Sequence, residues 1–521
     1  MMTPARTRVG FDRRSVGVLG ALIVAGLSLR WFNLGAKNLW LDELLSLNHA
    51  RQIAGWTSFL ASGFGDAHPP MYFLVLKGWL LLAGGDASAR WLSVLFGVAV
   101  IPATFVLARQ FFSTRLSLLS SLLVAVSPLF LLYDREVRNY SQFTLLSVLS
   151  LWFLMRALRE GRSASWVGYT TLTVLNIYTH YHAFLLIAGE MAFVALRVSS
   201  HRGRLKALLL SLALVGLSYL PMLPTLLKHI SFVGSVLTEG GRFPVTLGYW
   251  VRPAYIGFAL SLGQTLLPWK PLAIAGGAAV LVFLVFAVRT LRFQREAATF
   301  LAACFLLPLG LGTLFSDAMP RYYLFLAPLF YIILASGIAA VPRVVVRGIL
   351  AVVLAVAWGV GLGNYYANRD FHVLAHVDPW REVGQLLRTG VSTGDVVIQV
   401  ALKPPIEADP LGYALGFPIA IRGEDILADL PRLTANGTAA RVWLIVSEST
   451  LQQPGLGAAT WLSGNYAQCT EHRYRHDPDY SLKKRFFRKD FAEYRIRVYR
   501  FAEPHAHVPE PTACQSVLWD Q

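Results

Sequence analysis

Charged side chains are scarce. Asp, Glu, Lys and Arg make up 15% of the 521 residues, against about 25% in soluble domains. Hydrophobic residues make up 55% and the mean hydropathy is +0.50, so an ordinary soluble globular chain is excluded. Cysteine is rarer still. There are three, and no Cys/His cluster has the spacing of a zinc site. Cys304 lies inside an apolar run, as a small buried residue does. Cys469 and Cys514 lie near the C-terminus, where an oxidising compartment would let them pair. That C-terminal stretch also lacks a Gly-rich phosphate loop, a G-x-S-x-G turn and a Ser/His/Asp set. Its one glycosylation sequon, Asn436-Gly437-Thr438, is a match of pattern only.

Acidic residues are in deficit, 30 against 47 basic, for a net charge of +17. The basic residues sit between apolar runs rather than on one soluble face, so the positive-inside rule accounts for them and no nucleic-acid partner is expected. Twelve apolar runs fall at 15–34, 70–84, 88–108, 116–133, 141–157, 165–179, 182–198, 206–227, 271–290, 297–315, 322–341 and 347–365. The first follows Arg6, Arg8, Arg13 and Arg14 and reads as a retained signal anchor. The run 70–84 begins with Pro69-Pro70 and ends at Gly84-Gly85. It is too short for a bilayer core of about 30 Å. Treated as an interfacial or re-entrant helix, it leaves eleven spans. The clusters at Arg109/Arg115, Arg156/Arg159/Arg162, Arg197–Lys206, Arg289–Arg295 and Arg343/Arg347 then all fall on the cytoplasmic side. The expected architecture is a mainly α, polytopic helical bundle over residues 1–369. A soluble extracytoplasmic α/β domain follows over 370–521, with strand-like runs at Val396–Val400 and Val442–Val446 and a helix from Trp380.

In that topology the outer face gathers the polar residues that the positive-inside rule does not explain. Asp42 and Glu43 follow the first run. A glycosyl transfer needs a base for the acceptor hydroxyl, and a carboxylate serves; an Asp capping an interfacial helix is the alternative reading. His68 precedes Pro69-Pro70 at the mouth of the short helix. The stretch Tyr133–Tyr140 carries Arg135, Glu136, Arg138 and Tyr140. Guanidinium forks suit phosphate oxygens, and a structural ion pair among Arg135, Glu136 and Arg138 is the competing reading. His180 and His182 stand among tyrosines at another helix end, and Arg321 and Tyr322 follow Pro320. A divalent metal could neutralise a phosphate, with Glu43, His68, His180 or His182 as ligands.

Taken in order, these motifs resemble bacterial family-39-type glycosyltransferases of the GT-C fold, relatives of the protein O-mannosyltransferases and of the lipid A aminoarabinose transferases. They are the acidic pair after the first span, His-Pro-Pro, Arg-x-x-Arg-x-Tyr and Pro-Arg-Tyr. The resemblance covers about residues 12–365. It implies an outer-face cavity, a polyprenyl-phosphate sugar donor and an inverting single displacement onto an envelope acceptor (lipid, glycan or protein) at the bacterial inner membrane. It makes Asp42 the general base and Glu43 the residue that orients it. It has Arg138 and Arg321 hold the carrier phosphate, with His68, Arg135, Tyr140, His180, His182 and Tyr322 around the substrate. Ala67-His68 stands where the aminoarabinose transferases have Glu-Lys, and no β-trefoil insert interrupts the spans. The competing class is a transporter or flippase of a lipid-linked glycan. The internal symmetry common among transporters is not seen.

Overall fold

The computed structural model describes residues 12–37, 39–55, 68–84, 88–228, 230, 251–315, 319–369, 372, 380–400, 420–422, 426–434, 439, 441–447, 455–475, 494–504 and 515–519. Asp66-Ala67, the sequon at Asn436, Cys514 and part of the loop 225–270 lie outside them. Two units emerge. One comprises Met1–Leu34 and His49–Ala367, the other Gly35–Asn48 and Asn368–Gln521.

The first unit is a helical bundle. Among the described residues eight helices are long and apolar enough to cross a membrane, and three shorter apolar helices accompany them, at Met71–Ala83, Thr114–Val126 and Ala183–Leu196. The helix Met71–Ala83 ends where Gly84 turns left-handed, at φ 81°, a backbone that glycine adopts without strain. Its 13 residues measure about 20 Å, as short as the run suggests. Two expected runs are divided. The run 116–133 breaks at Ser127-Pro128 into the helices Thr114–Val126 and Pro128–Tyr133, because the Ser127 hydroxyl caps the second helix and proline fits its first turn. The run 297–315 contains a π-helical segment, Ala302–Leu306.

Small residues bring the helices together, as in membrane bundles. Gly337 lies against the Phe283 carbonyl. Ser121 Oγ donates to Ile101 O at 3.0 Å. Near the break, Ser127 Oγ lies 2.5 Å from Tyr331 Oη, and Tyr331 donates to Leu260 O at 3.1 Å.

The second unit holds a six-stranded mixed sheet in the order β2-β1-β3-β5-β4-β6. Its strands are β1 Val396–Val400, β2 Ala420–Arg422, β3 Arg441–Ser447, β4 Tyr466–Arg475, β5 Tyr494–Pro504 and β6 Gln515–Trp519. Both faces are covered, so β1 and β3 are apolar on both sides rather than alternating with polar residues. Ile398, Leu444, Val446 and Phe501 pack with Ile426, Leu430, Ala458 and Leu462 of two helices. Val397, Trp443, Ile445 and Val498 pack with Val383 and Leu387 of the helix Trp380–Gly390. Cys469 is disulfide-bonded while Cys304 is free and buried.

Candidate active site

The turn between the helices Pro128–Tyr133 and Tyr140–Glu160 carries the Arg-x-x-Arg-x-Tyr motif, and it is pinned at three points. Asp134 accepts from Arg30 Nε at 2.7 Å and from Ser141 Oγ at 2.6 Å. The Arg138 carbonyl accepts from Ser93 Oγ at 3.3 Å. Asn139 Nδ2 donates to Thr179 O at 2.7 Å. That last bond joins the turn to the segment Tyr178–His182. The same segment holds the His-Pro-Pro turn, because Met71 N donates to Tyr178 O at 2.9 Å. Two bonds to backbone carbonyls of this segment thus place His68, Tyr140 and His180 together, although they are far apart in sequence.

The rings confirm the gathering. His68 lies with its centroid 4.7 Å from His180, 5.8 Å from Tyr140 and 5.7 Å from Tyr322. His180 stacks on Phe143 at 4.6 Å and 13°, and its centroid is 4.9 Å from that of His182. His180 Nδ1 accepts from the His182 backbone N–H at 3.0 Å. An accepting Nδ1 leaves the ring proton on Nε2 in the neutral form, so His180 presents a donor at its far side.

The 3₁₀ segment Pro320–Leu326 brings Arg321 and Tyr322 to this cluster. Tyr140 and Tyr322 are neighbours at 6.1 Å. Arg138 lies over Tyr140 at 5.9 Å and Arg321 over Tyr322 at 5.3 Å. Two guanidiniums therefore flank an adjacent pair of tyrosines, with three imidazoles packed beside them. Point charges on this row suit a group with several anionic oxygens.

Gln264 and Tyr255, which no sequence motif marks, extend the row. Tyr133 donates to Gln264 Oε1, and Gln264 Nε2 donates to Tyr255 Oη at 3.1 Å. Arg321 and Glu136 both bear electrostatically on the Tyr133 hydroxyl. No periodicity marks Gln264, and only its place before the helix Pro271–Leu291 hints at a role.

One expected residue of this unit faces away from the cluster. Arg135 points to Phe32 O, at 2.9 Å, and lies over Tyr365 and Tyr366. In the same turn Asp134 pairs with Arg30. Asp42 and Glu43 belong to the second unit, in the first turn of the helix Leu41–Gln52. Glu43 is buried, and its Oε2 accepts from the Trp40 backbone N–H at 3.2 Å. That is the reciprocal half of a capping box. Glu43, not Asp42, therefore caps this helix. Among the described residues no group of three His, Cys, Asp or Glu side chains is placed to hold a metal ion.

Residues 67–227 match the family model described as dolichyl-phosphate-mannose-protein mannosyltransferase. His68, Arg135, Arg138, Tyr140, His180 and His182 fall within that segment. No curated protein sequence matches the chain. Among solved structures, apo ArnT from Cupriavidus metallidurans aligns at a TM-score of 0.56 and 12% identity, over 94% of this chain and 98% of that one. ArnT bound to undecaprenyl phosphate aligns at 0.53 and 13%, over 93% and 98%. The oligosaccharyltransferase AglB from Archaeoglobus fulgidus, in complex with an inhibitory peptide and a dolichol-phosphate, aligns at 0.51 and 12%, over 88% and 73%. The chain is a membrane protein with the GT-C fold that these glycosyltransferase structures share, and its segment 67–227 is similar to the protein O-mannosyltransferase family.

Proposed function

We propose that this protein moves a sugar from a polyprenyl-phosphate carrier to a hydroxyl of an envelope acceptor, with inversion at the anomeric carbon. The observation that carries the reading is the flanked tyrosine pair, Arg138 over Tyr140 and Arg321 over Tyr322. A departing phosphate gains charge as the glycosidic bond breaks, and fixed cations stabilise that gain. Arg138 and Arg321 bind the carrier phosphate. His68, His180, His182, Tyr140 and Tyr322 line the sugar. Asp42 takes the acceptor's proton as its oxygen attacks the anomeric carbon, and Glu43 keeps the first turn of that helix in shape. The phosphate leaves with the electron pair of the broken C–O bond.

The basic clusters, read with the positive-inside rule, support a cytoplasmic N-terminus and an outer C-terminal domain, in keeping with a bacterial inner-membrane enzyme. The Cys469 disulfide supports an oxidising location for that domain. The ArnT and AglB structures that hold undecaprenyl phosphate and dolichol-phosphate support a lipid-phosphate donor here.

The test is carrier binding. Purified protein should bind undecaprenyl phosphate saturably, and Arg321→Gln and Arg138→Gln should each weaken it at least tenfold. Binding unchanged in both variants would remove the reading. Flipping of a lipid-linked glycan in vesicles without sugar transfer would favour the transporter alternative.

A further inference from the structure

The guanidinium of Arg135 has surroundings unlike those of Arg138. It is 4% exposed. Nη2 donates to Phe32 O at 2.9 Å, just beyond the first span. The guanidinium carbon lies 5.1 Å from the ring centroids of both Tyr365 and Tyr366, at the end of the last span. Nε and Nη1 have no hydrogen-bond partner among the described residues. Arg90, also buried, donates to Leu34 O at 3.1 Å, and its charge reaches Tyr365 together with those of Arg135 and Glu136.

Taking a guanidinium out of water is costly unless it is paired. Two cation–π contacts, one bond to a carbonyl and one with the Tyr366 hydroxyl offset part of that cost. They leave the N–H groups of Nε and Nη1 open, and open donors on a buried cation suit the oxygens of an anion. The rings around Arg135 come from the ends of the first and last spans. None of them belongs to the histidine–tyrosine cluster.

We propose that Arg135, with Arg90 beside it, forms a second anion site that takes a phosphate group and is distinct from the Arg138/Arg321 pair. Its place at the ends of two spans suits the phosphate of a lipid headgroup. The same donors would take free phosphate. The site stands whether or not the chain transfers a sugar.

The test uses the full-length protein in detergent, with Arg138→Gln/Arg321→Gln as background to silence the other pair. Thermal unfolding is followed against inorganic phosphate and, separately, against short-chain phosphatidic acid. Chloride at equal ionic strength and short-chain diacylglycerol are the controls. A saturable rise in Tm is expected, lost on adding Arg135→Gln. Arg135→Lys, which keeps the charge and loses the fork, should bind about tenfold more weakly. Without any anion, Arg135→Gln should melt no lower than its parent, because it removes an unpaired buried charge. A rise with both ligands would mean that the phosphate group suffices; a rise with phosphatidic acid alone would mean that the site needs the lipid chains. No saturable rise in the background variant, or one that persists in Arg135→Gln, overturns the proposal. If the background variant fails to fold, phosphate bound per chain in wild type and Arg135→Gln carries the comparison, with one phosphate fewer expected in the variant.

Discussion

Arg30 Nε donates to Asp134 Oδ2 at 2.7 Å across 104 residues, with both side chains fully buried. The pair ties the first span to the turn that carries Arg135, Arg138 and Tyr140. Arg30 Nη1 also donates to Gly26 O at 3.0 Å and Ala125 O at 2.9 Å. Asp134 lies against Gly97, where a Cβ would overlap its carboxylate.

Breaking this pair on one side strands a buried charge. Arg30→Met or Asp134→Leu alone should destabilise the bundle by about 3–5 kcal/mol, whereas the double variant should recover most of the loss. Thermal melts of the three variants check it. A double variant as unstable as the worse single one would show that the attraction, not the stranded charge, decides the outcome. Gly97→Ala should lower the melting temperature for a steric reason.

The two arginines of the tyrosine row should differ from lysines. Arg138→Lys and Arg321→Lys keep the charge and lose the fork. Each should retain more turnover than the glutamine variant, which should lose about 10²–10³-fold in kcat. Steady-state transfer kinetics across the four variants decide this. Lysine variants no better than glutamine would mean that geometry rather than charge is what the site uses.

Cys469, on the strand β4, is disulfide-bonded. Reduction, or Cys469→Ser, should destabilise the C-terminal unit by about 2–4 kcal/mol, because a bond from Cys469 to Cys514 would close a loop of about 45 residues. Non-reducing peptide mapping should find Cys469 joined to Cys514, and hydrogen exchange should show Gln515–Trp519 fraying first in the reduced protein.

Burial and the neighbouring Arg500 charge hold the His472 imidazole below its ordinary 6.5. The folded domain therefore resists a proton that the unfolded chain accepts. Stability should be level above about pH 6.5 and fall as the pH drops through the folded value. His472→Gln should flatten that acid limb. Its cross-strand neighbours Val498 and Val517 report the change in exchange rates, corrected for intrinsic pH dependence.

Hydropathy and basic clusters made the bundle legible, because a lipid environment demands helices and leaves few alternatives. The strands Val396–Val400 and Arg441–Ser447 were legible from short β-branched and aromatic apolar runs, Val396–Ile398 and Val442–Val446, bounded by polar residues. The break at Ser127-Pro128 was hidden, since Pro128 interrupts no apolar run. In the site, His68, Arg138, Tyr140, His180, His182, Arg321 and Tyr322 could be picked out one by one. Their convergence could not, because it depends on Met71 N to Tyr178 O and Asn139 to Thr179 O, bonds that no side-chain pattern announces. Arg30 was the missed signal. It is a charge in the last turn of an apolar span, and such a charge needs a partner.

The most direct test of the central claim is transfer itself. Purified wild-type protein and Asp42→Asn are incubated with radiolabelled polyprenyl-phosphate sugars and a cell-envelope extract. Label moved to the extract by the wild type and not by Asp42→Asn, with both proteins melting alike, is the predicted result. Equal transfer by the two would contradict Asp42 as the base, and no transfer from any lipid-linked sugar by well-folded wild type would contradict the reaction.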